Sequence, residues 1–191
     1  EWPEEYCDYE GGGDVAEGIE LPGRKSDDSA IALLKRLTGE FVLTWRGKLP
    51  PEEFGDLLYS LGVIYNEAFL AVEKNNHGYT TLRRLWNNRY PSGRIYRQYT
   101  GPNVAAQDPS ESIGFLTTPL SKPPLIDNFA WGIREGKIII YDKDFLEELS
   151  RLQHDDRGRV NTHGADISVA GMLAFEAHMK GQNYQRAPSE K

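Results

Sequence analysis

The sequence predicts an α/β domain with a mixed central sheet and helices on both faces. Three observations carry this. The run AFLAVE (68–73) is short and apolar almost throughout, as in strands covered on both faces. Apolar stripes at three- and four-residue spacing mark helices, the clearest being Phe54, Leu57, Leu58, Leu61 and Tyr65. Strand and helix candidates then alternate along the chain, the pattern of helices layered on a sheet.

Taken in order, residues 1–13 are acidic and end in Gly11-Gly12-Gly13, which predicts a frayed or irregular lead-in. DSAIALLKR (28–36) and EFVLTWRGK (40–48) are strand candidates across the turn Leu37-Thr38-Gly39; in the second, Phe41, Leu43 and Trp45 alternate to one face. Pro50-Pro51 opens the helix that carries the Phe54–Tyr65 stripe, since proline fits a first turn. After AFLAVE, the polar turn at Asn75-Asn76 leads into a helix near 78–88, with Tyr79, Leu82, Leu85 and Trp86 expected inward. Tyr90 to Ser112 is rich in Pro, Gly and Asn and reads as loop, with a short strand near Ile95–Tyr99.

Ser121 stands where it would cap a helix bearing Leu125, Ile126, Phe129 and Ile133, closed by Gly136. KIIIY (137–141) is a further strand candidate, and Asp142 caps DFLEELSRL. HDDRGRVNTHGA reads as loop. Asp166 opens the last helix, whose small residues Ala170, Gly171, Ala174 and Ala177 permit close packing. With no internal repeat and no linker, residues 1–191 are expected to form a single domain, with 1–10 and 182–191 as flexible ends.

Composition narrows the function. The 191 residues suffice for a real core, and 39% hydrophobic with 27% charged residues is ordinary for a soluble globular chain. No apolar run approaches a spanning helix and the N-terminus lacks the form of a signal peptide, so no membrane partner is expected. One cysteine, Cys7, precludes an internal disulfide and favours a reducing compartment. Neither a P-loop nor a GxGxxG is present.

The net charge of −7 argues against a polyanion, but the charge is uneven. No acid occurs between Lys74 and Gln107, where Lys74, Arg83, Arg84, Arg89, Arg94 and Arg97 interleave with Tyr79, Trp86, Tyr90, Tyr96 and Tyr99. Such a strip is either a polyanion-binding face or a solvated helix face with core tyrosines.

Three acids stand at telling positions. Asp14 follows the glycines, Glu73 ends the most apolar strand, and Asp166 opens the last helix. An acid at a strand's carboxyl end sits where open α/β sheets place ligands, and an acid at a helix N-terminus is electrostatically favoured. Converging, they would form an oxygen cluster suited to Mg²⁺ or Mn²⁺ rather than zinc. Singly, each has a structural explanation: a turn at Gly13, a helix cap at Asn75-Asn76, an N-cap at Asp166. His154-Asp155-Asp156 reads as a solvated turn beside Arg157 and Arg159. His163 could support Asp166.

The residues Asp14-Val15-Ala16-Glu17-Gly18, Asp28-Ser29-Ala30, Val72-Glu73-Lys74-Asn75-Asn76-His77-Gly78 and Gly164-Ala165-Asp166 resemble, in this order, the C-terminal nuclease domain of the large terminase subunit of tailed bacteriophages. The run Gly114-Phe115-Leu116-Thr117-Thr118, Lys122 and Gly136-Lys137-Ile138 is similar as well. The resemblance implies an RNase H-like fold and an endonuclease that cuts concatemeric viral DNA during genome packaging. It implies two divalent ions, Mg²⁺ or Mn²⁺, held by Asp14, Glu73 and Asp166 as catalytic acids. Glu20 matches an additional acid of some members. Lys74, Arg83, Arg84 and Arg89 are the candidate contacts to double-stranded DNA.

Implied partners are the packaging ATPase domain of the same full-length subunit, the portal and the small terminase subunit. The implied location is the host cytoplasm at the viral procapsid. With no P-loop, the chain is expected to be an excised nuclease domain that does not hydrolyse ATP. It departs from the family in having three glycines before the first acid, which bears on the local strand geometry, and Gly-Ala-Asp where His-Asp-Asp is usual, so that one metal position is expected to be weaker. The alternatives are another RNase H-like nuclease of resolvase or transposase type, or a non-catalytic module docking on DNA or the portal.

Overall fold

The computed structural model describes residues 1–17, 28–98, 112–154 and 160–181. Four strands form the main sheet: β1 (Tyr9–Asp14), β2 (Ser29–Lys35), β3 (Glu40–Gly47) and β4 (Phe69–Val72), in the order β3-β2-β1-β4. β1 runs antiparallel to β2, from Tyr9 opposite Lys35 to Asp14 opposite Ala30, and parallel to β4 on its other side. β2 and β3 are antiparallel. The α/β class expected from sequence is thus present, with five α-helices among the described residues packed around a mixed sheet.

Residues 9–13, expected to belong to an irregular lead-in, are instead part of an inner strand that runs to Asp14, with Tyr9 and Glu10 buried. Glycine is a poor strand former because it carries no side chain to pack. Here its lack of a Cβ is the reason it is present. A Cβ on Gly12 would fall 1.8 Å from the Ala170 carbonyl oxygen and 2.5 Å from the Ala174 nitrogen of the last helix, α5 (Asp166–Gly181). The small residues of α5 permit the close packing expected of them, backbone against backbone.

The sheet separates two cores. On one face α3 (Lys122–Arg134), α4 (Lys143–Arg151) and α5 bury Phe129, Phe145, Phe175 and Ala170 against Ala30, Ala32, Phe69 and Ala71. On the other, α1 (Pro51–Ile64) and α2 (Gly78–Asn87) bury Phe54, Leu58, Leu82 and Leu85 against Ile31, Leu33, Leu70 and Val72. The alternation of β3 breaks: Phe41 enters the α5-side core, while Leu43 and Trp45 pack against the α1 side. The register shifts there, Leu33 facing Leu43 and Leu34 facing Phe41, so the extra residue flips every side chain beyond it.

Other expectations are corrected in detail. On α2, Leu82 and Leu85 are buried but Tyr79 and Trp86 are exposed. Residues 137–141 do not form a strand; only Ile139 bridges, to Glu40, before the chain turns into α4. Around Ile95 there is likewise no strand among the described residues, because the outer edge of the four-residue β4 is shared. Ile95 bridges Leu70, and Phe115 bridges Glu73. Ser121 precedes α3, but its hydroxyl donates to Leu116 O and accepts from Thr118 N rather than capping the helix. Asp142 does cap α4, accepting from Phe145 N at 2.8 Å. Within the segment expected as loop, β5 (Gln153–His154) pairs with β6 (Val160–Asn161). The tail 182–191 lies outside the described residues.

Candidate active site

The sheet register brings two of the acids together. β1 and β4 pair in parallel, Gly12 with Ala71 and Gly13 with Val72. One residue further, the same register sets Asp14 beside Glu73, and Glu73 N donates to Gly13 O at 2.9 Å. Parallel neighbours lie about 4.8 Å apart and side chains alternate between faces. Asp14 and Glu73 therefore share the face of Gly12 and Ala71, the face that α5 covers. The first residue of α5 is Asp166, 9% exposed. All three acids line one cleft of about 530 Å³, together with Asp28, Glu17, His77 and His163.

The segment after Glu73 holds it in place. Asn75 bonds both ways with the backbone of Thr117, its Nδ2 donating to the carbonyl at 2.8 Å and its Oδ1 accepting from the amide at 3.1 Å. Asn76 has φ of +45°, which asparagine tolerates better than most residues. A Cβ on Gly78 would lie 1.8 Å from the Glu73 carbonyl oxygen, so only glycine lets α2 start this close to the strand end. The Asn-Asn-x-Gly element thus secures the peptide that carries Glu73 between β1 and the 113–117 segment.

The other walls are braced similarly. Ser29 Oγ accepts from Ala16 N at 3.0 Å, tying the chain beyond Asp14 to the start of β2. Lys122, on the first turn of α3, lines the cleft and donates to Thr162 Oγ1 at 2.7 Å. Behind Asp166, Ser168 N donates to the buried Glu148 of α4 at 2.8 Å. Asp28 was within reach of sequence reasoning, since an acid at the start of a strand antiparallel to β1 lies at the same edge as Asp14. Lys122 was marked only as part of the run that resembles the family, and Glu148 carried no comparable signal.

The donor set is dominated by oxygen, five carboxylates with Asn161 and Thr162 nearby, and Cys7 packs beside the opposite core. Such donors fit a hard divalent cation. Yet among the described residues no three acids, histidines or cysteines are gathered as a preformed metal cage. Glu20 lies outside the described residues.

None of the candidate DNA-contacting residues lines this cleft. Arg84 is turned to α1, its Nε and Nη2 donating to Asp56 at 2.7 and 2.9 Å, with Asn88 also donating to Asp56 at 2.6 Å. Arg83 borders a smaller apolar groove with Tyr79 and Trp86. Lys74 follows Glu73 at the sheet edge, and Arg89 stands just past α2 with φ of +61°. Of the aromatic strip, Tyr90 and Tyr96 are core residues.

No family model matches the chain, and no curated protein does. Solved structures do. The chain is similar to the large terminase nuclease from thermophilic phage G20c with bound magnesium, at a TM-score of 0.66 and 18% identity over 92% of this chain and 84% of that one. It is similar to the Thermus phage P74-26 large terminase nuclease domain, at 0.66 and 19% over 97% and 87%. It is also similar to the manganese-soaked, inhibitor-bound human cytomegalovirus terminase nuclease domain, at 0.59 and 11% over 96% and 90%. The chain has the RNase H-like fold of the terminase nuclease domains.

Proposed function

We propose that the protein is a divalent-metal-dependent DNA endonuclease that cuts concatemeric viral DNA during genome packaging. The observation that carries this is the convergence of Asp14, Glu73 and Asp166, remote in sequence, on one cleft at the carboxyl edge of a sheet shared with terminase nucleases. Asp14 and Glu73 present carboxylates from adjacent strands, and Asp166 approaches from the helix above them. These three would hold Mg²⁺ or Mn²⁺. When bound, such ions supply Lewis-acid activation of water and neutralise charge on the departing 3′-oxygen.

The rest of the cleft positions the substrate. Lys122, which lines the same cleft as the acids, supplies a cation for a phosphate. Lys74, Arg83 and Arg89 contact the DNA backbone outside the cleft and set affinity rather than sequence choice. Arg84 is held by Asp56 in a partly exposed ion pair. The packaging ATPase, portal and small subunit are the partners that this function entails.

The test is Asp166→Ala in a supercoiled-plasmid assay with Mn²⁺. Cleavage is expected to disappear while the far-UV circular dichroism stays that of the parent. A folded Asp166→Ala protein that cuts at the parent's rate would overturn the assignment.

A further inference from the structure

We infer that Glu148 is a positioning residue of the acidic cleft: it holds the first turn of α5 and draws Arg46 away from Asp28. The inference rests on the cleft's being a cation site.

Glu148 is only 3% exposed, and both its oxygens are engaged. Oε2 accepts from Ser168 N at 2.8 Å, and Oε1 pairs with Arg46 Nη1 at 2.6 Å. A buried carboxylate persists only when paired and hydrogen-bonded in this way. Its first partner explains its place. The opening amides of a helix lack intrahelical acceptors, and Ala165, just before α5, has no side-chain oxygen to offer. Glu148 does this from another helix, two residues beyond Asp166, so the turn that carries Asp166 is pinned to α4.

The second partner gives Glu148 an electrostatic role. Arg46, on β3, also stands 3.9 Å from Asp28 Oδ2 through its Nε. Asp28 lines the cleft, and Glu148 does not. The arginine is therefore shared between a structural acid and a cleft acid, with the closer contact to the structural one. Released from Glu148, Arg46 would neutralise Asp28 and lower the cleft's pull on a divalent cation. Glu148 thus keeps a competing positive charge out of the site.

The experiment measures Mn²⁺ binding directly, by the electron paramagnetic resonance of free Mn²⁺, alongside plasmid cleavage. Glu148→Gln keeps an oxygen for Ser168 N but loses the charge that holds Arg46. Its Mn²⁺ dissociation constant is expected to rise about tenfold, the lower end for loss of a group supporting metal ligands. Adding Arg46→Met removes the freed cation, and the double variant is expected to return to within about threefold of the parent. A purely structural role would show no such rescue.

Should Glu148→Gln unfold, the double variant, neutral at both positions, decides alone, and tenfold weaker binding in it overturns the inference. Parent-like binding in Glu148→Gln, or a double variant as weak as the single, overturns the role of Glu148 while leaving the cleft reading intact. A parent that binds Mn²⁺ no better than Asp166→Ala brings down both.

Discussion

The two faces of the sheet are built on different principles. On the α1 and α2 side, large side chains meet across a gap: Phe54, Leu58, Leu82 and Leu85 fill the space over Ile31, Leu33, Leu70 and Val72. On the α5 side, backbone meets backbone at Gly12, and both ends of the contact are acidic. At the cleft end stand Asp14, Glu73 and Asp166. At the far end Glu10, fully buried, pairs with Arg36 and has His178 Nδ1 at 3.3 Å. A side-chain interface tolerates small shifts, because rotamers adjust. A backbone interface does not, which suits a face whose ends must hold charged groups in fixed relation.

Adjacent glycines of β1 put this contrast to its sharpest test. Gly12→Ala would drive a methyl to 1.8 Å from the Ala170 carbonyl, where no rotamer can yield. The loss of stability is expected to exceed about 3 kcal/mol, the top of the usual overpacking range. Gly13→Ala faces the other way and meets Leu58 Cδ1 at 3.3 Å, the end of a movable side chain. Its effect is expected to stay within about 1 kcal/mol. Urea denaturation of the two variants measures the difference, and equal costs would erase the distinction between the faces.

A smaller effect is expected at Asn75. Asn75→Ala removes two hydrogen bonds to the Thr117 backbone, costing about 1–3 kcal/mol in global stability. Because the lost clamp secures the peptide of Glu73, plasmid cleavage should fall even at temperatures where the variant is fully folded. Unchanged cleavage would mean that the Asn-Asn-x-Gly element stabilises the fold without positioning the acid.

These residues also mark what the sequence could disclose. The helices were legible because their stripes are long and regular, and the meeting of Asp14, Glu73 and Asp166 at one cleft because strand ends and helix starts gather at one edge of a sheet. β1 was not legible: three glycines have no hydrophobic period, and their meaning lies in a helix more than 150 residues away. The face of Phe41 was lost to a one-residue bulge, which leaves no compositional trace. The Asp56 partner of Arg84 was not legible, because charge along the chain does not reveal an acid on a neighbouring helix. Glu148 was hidden among the acids of DFLEELSRL, since burial alone distinguishes it from Glu147.

The smallest expected effect lies on the tolerant face and depends on pH. The hydrogen bonds from Arg84, then those from Asn88, hold the Asp56 carboxyl below its usual range. A carboxylate whose folded pKa is depressed adds stability above its unfolded pKa of about 3.9, and that addition fades as pH falls through the folded value. Asp56→Asn should therefore unfold at lower urea than the parent at pH 7, with the gap narrowing as the pH drops below 4. The pair is partly exposed and screened, so the gap should be modest and shrink further in high salt. Plasmid cleavage at pH 7 should be unaffected, because Asp56 braces α1 to α2 on the face away from the cleft. Lost cleavage in a folded Asp56→Asn protein would show that the α1–α2 side also governs the acids, and the contrast between the two faces would fail.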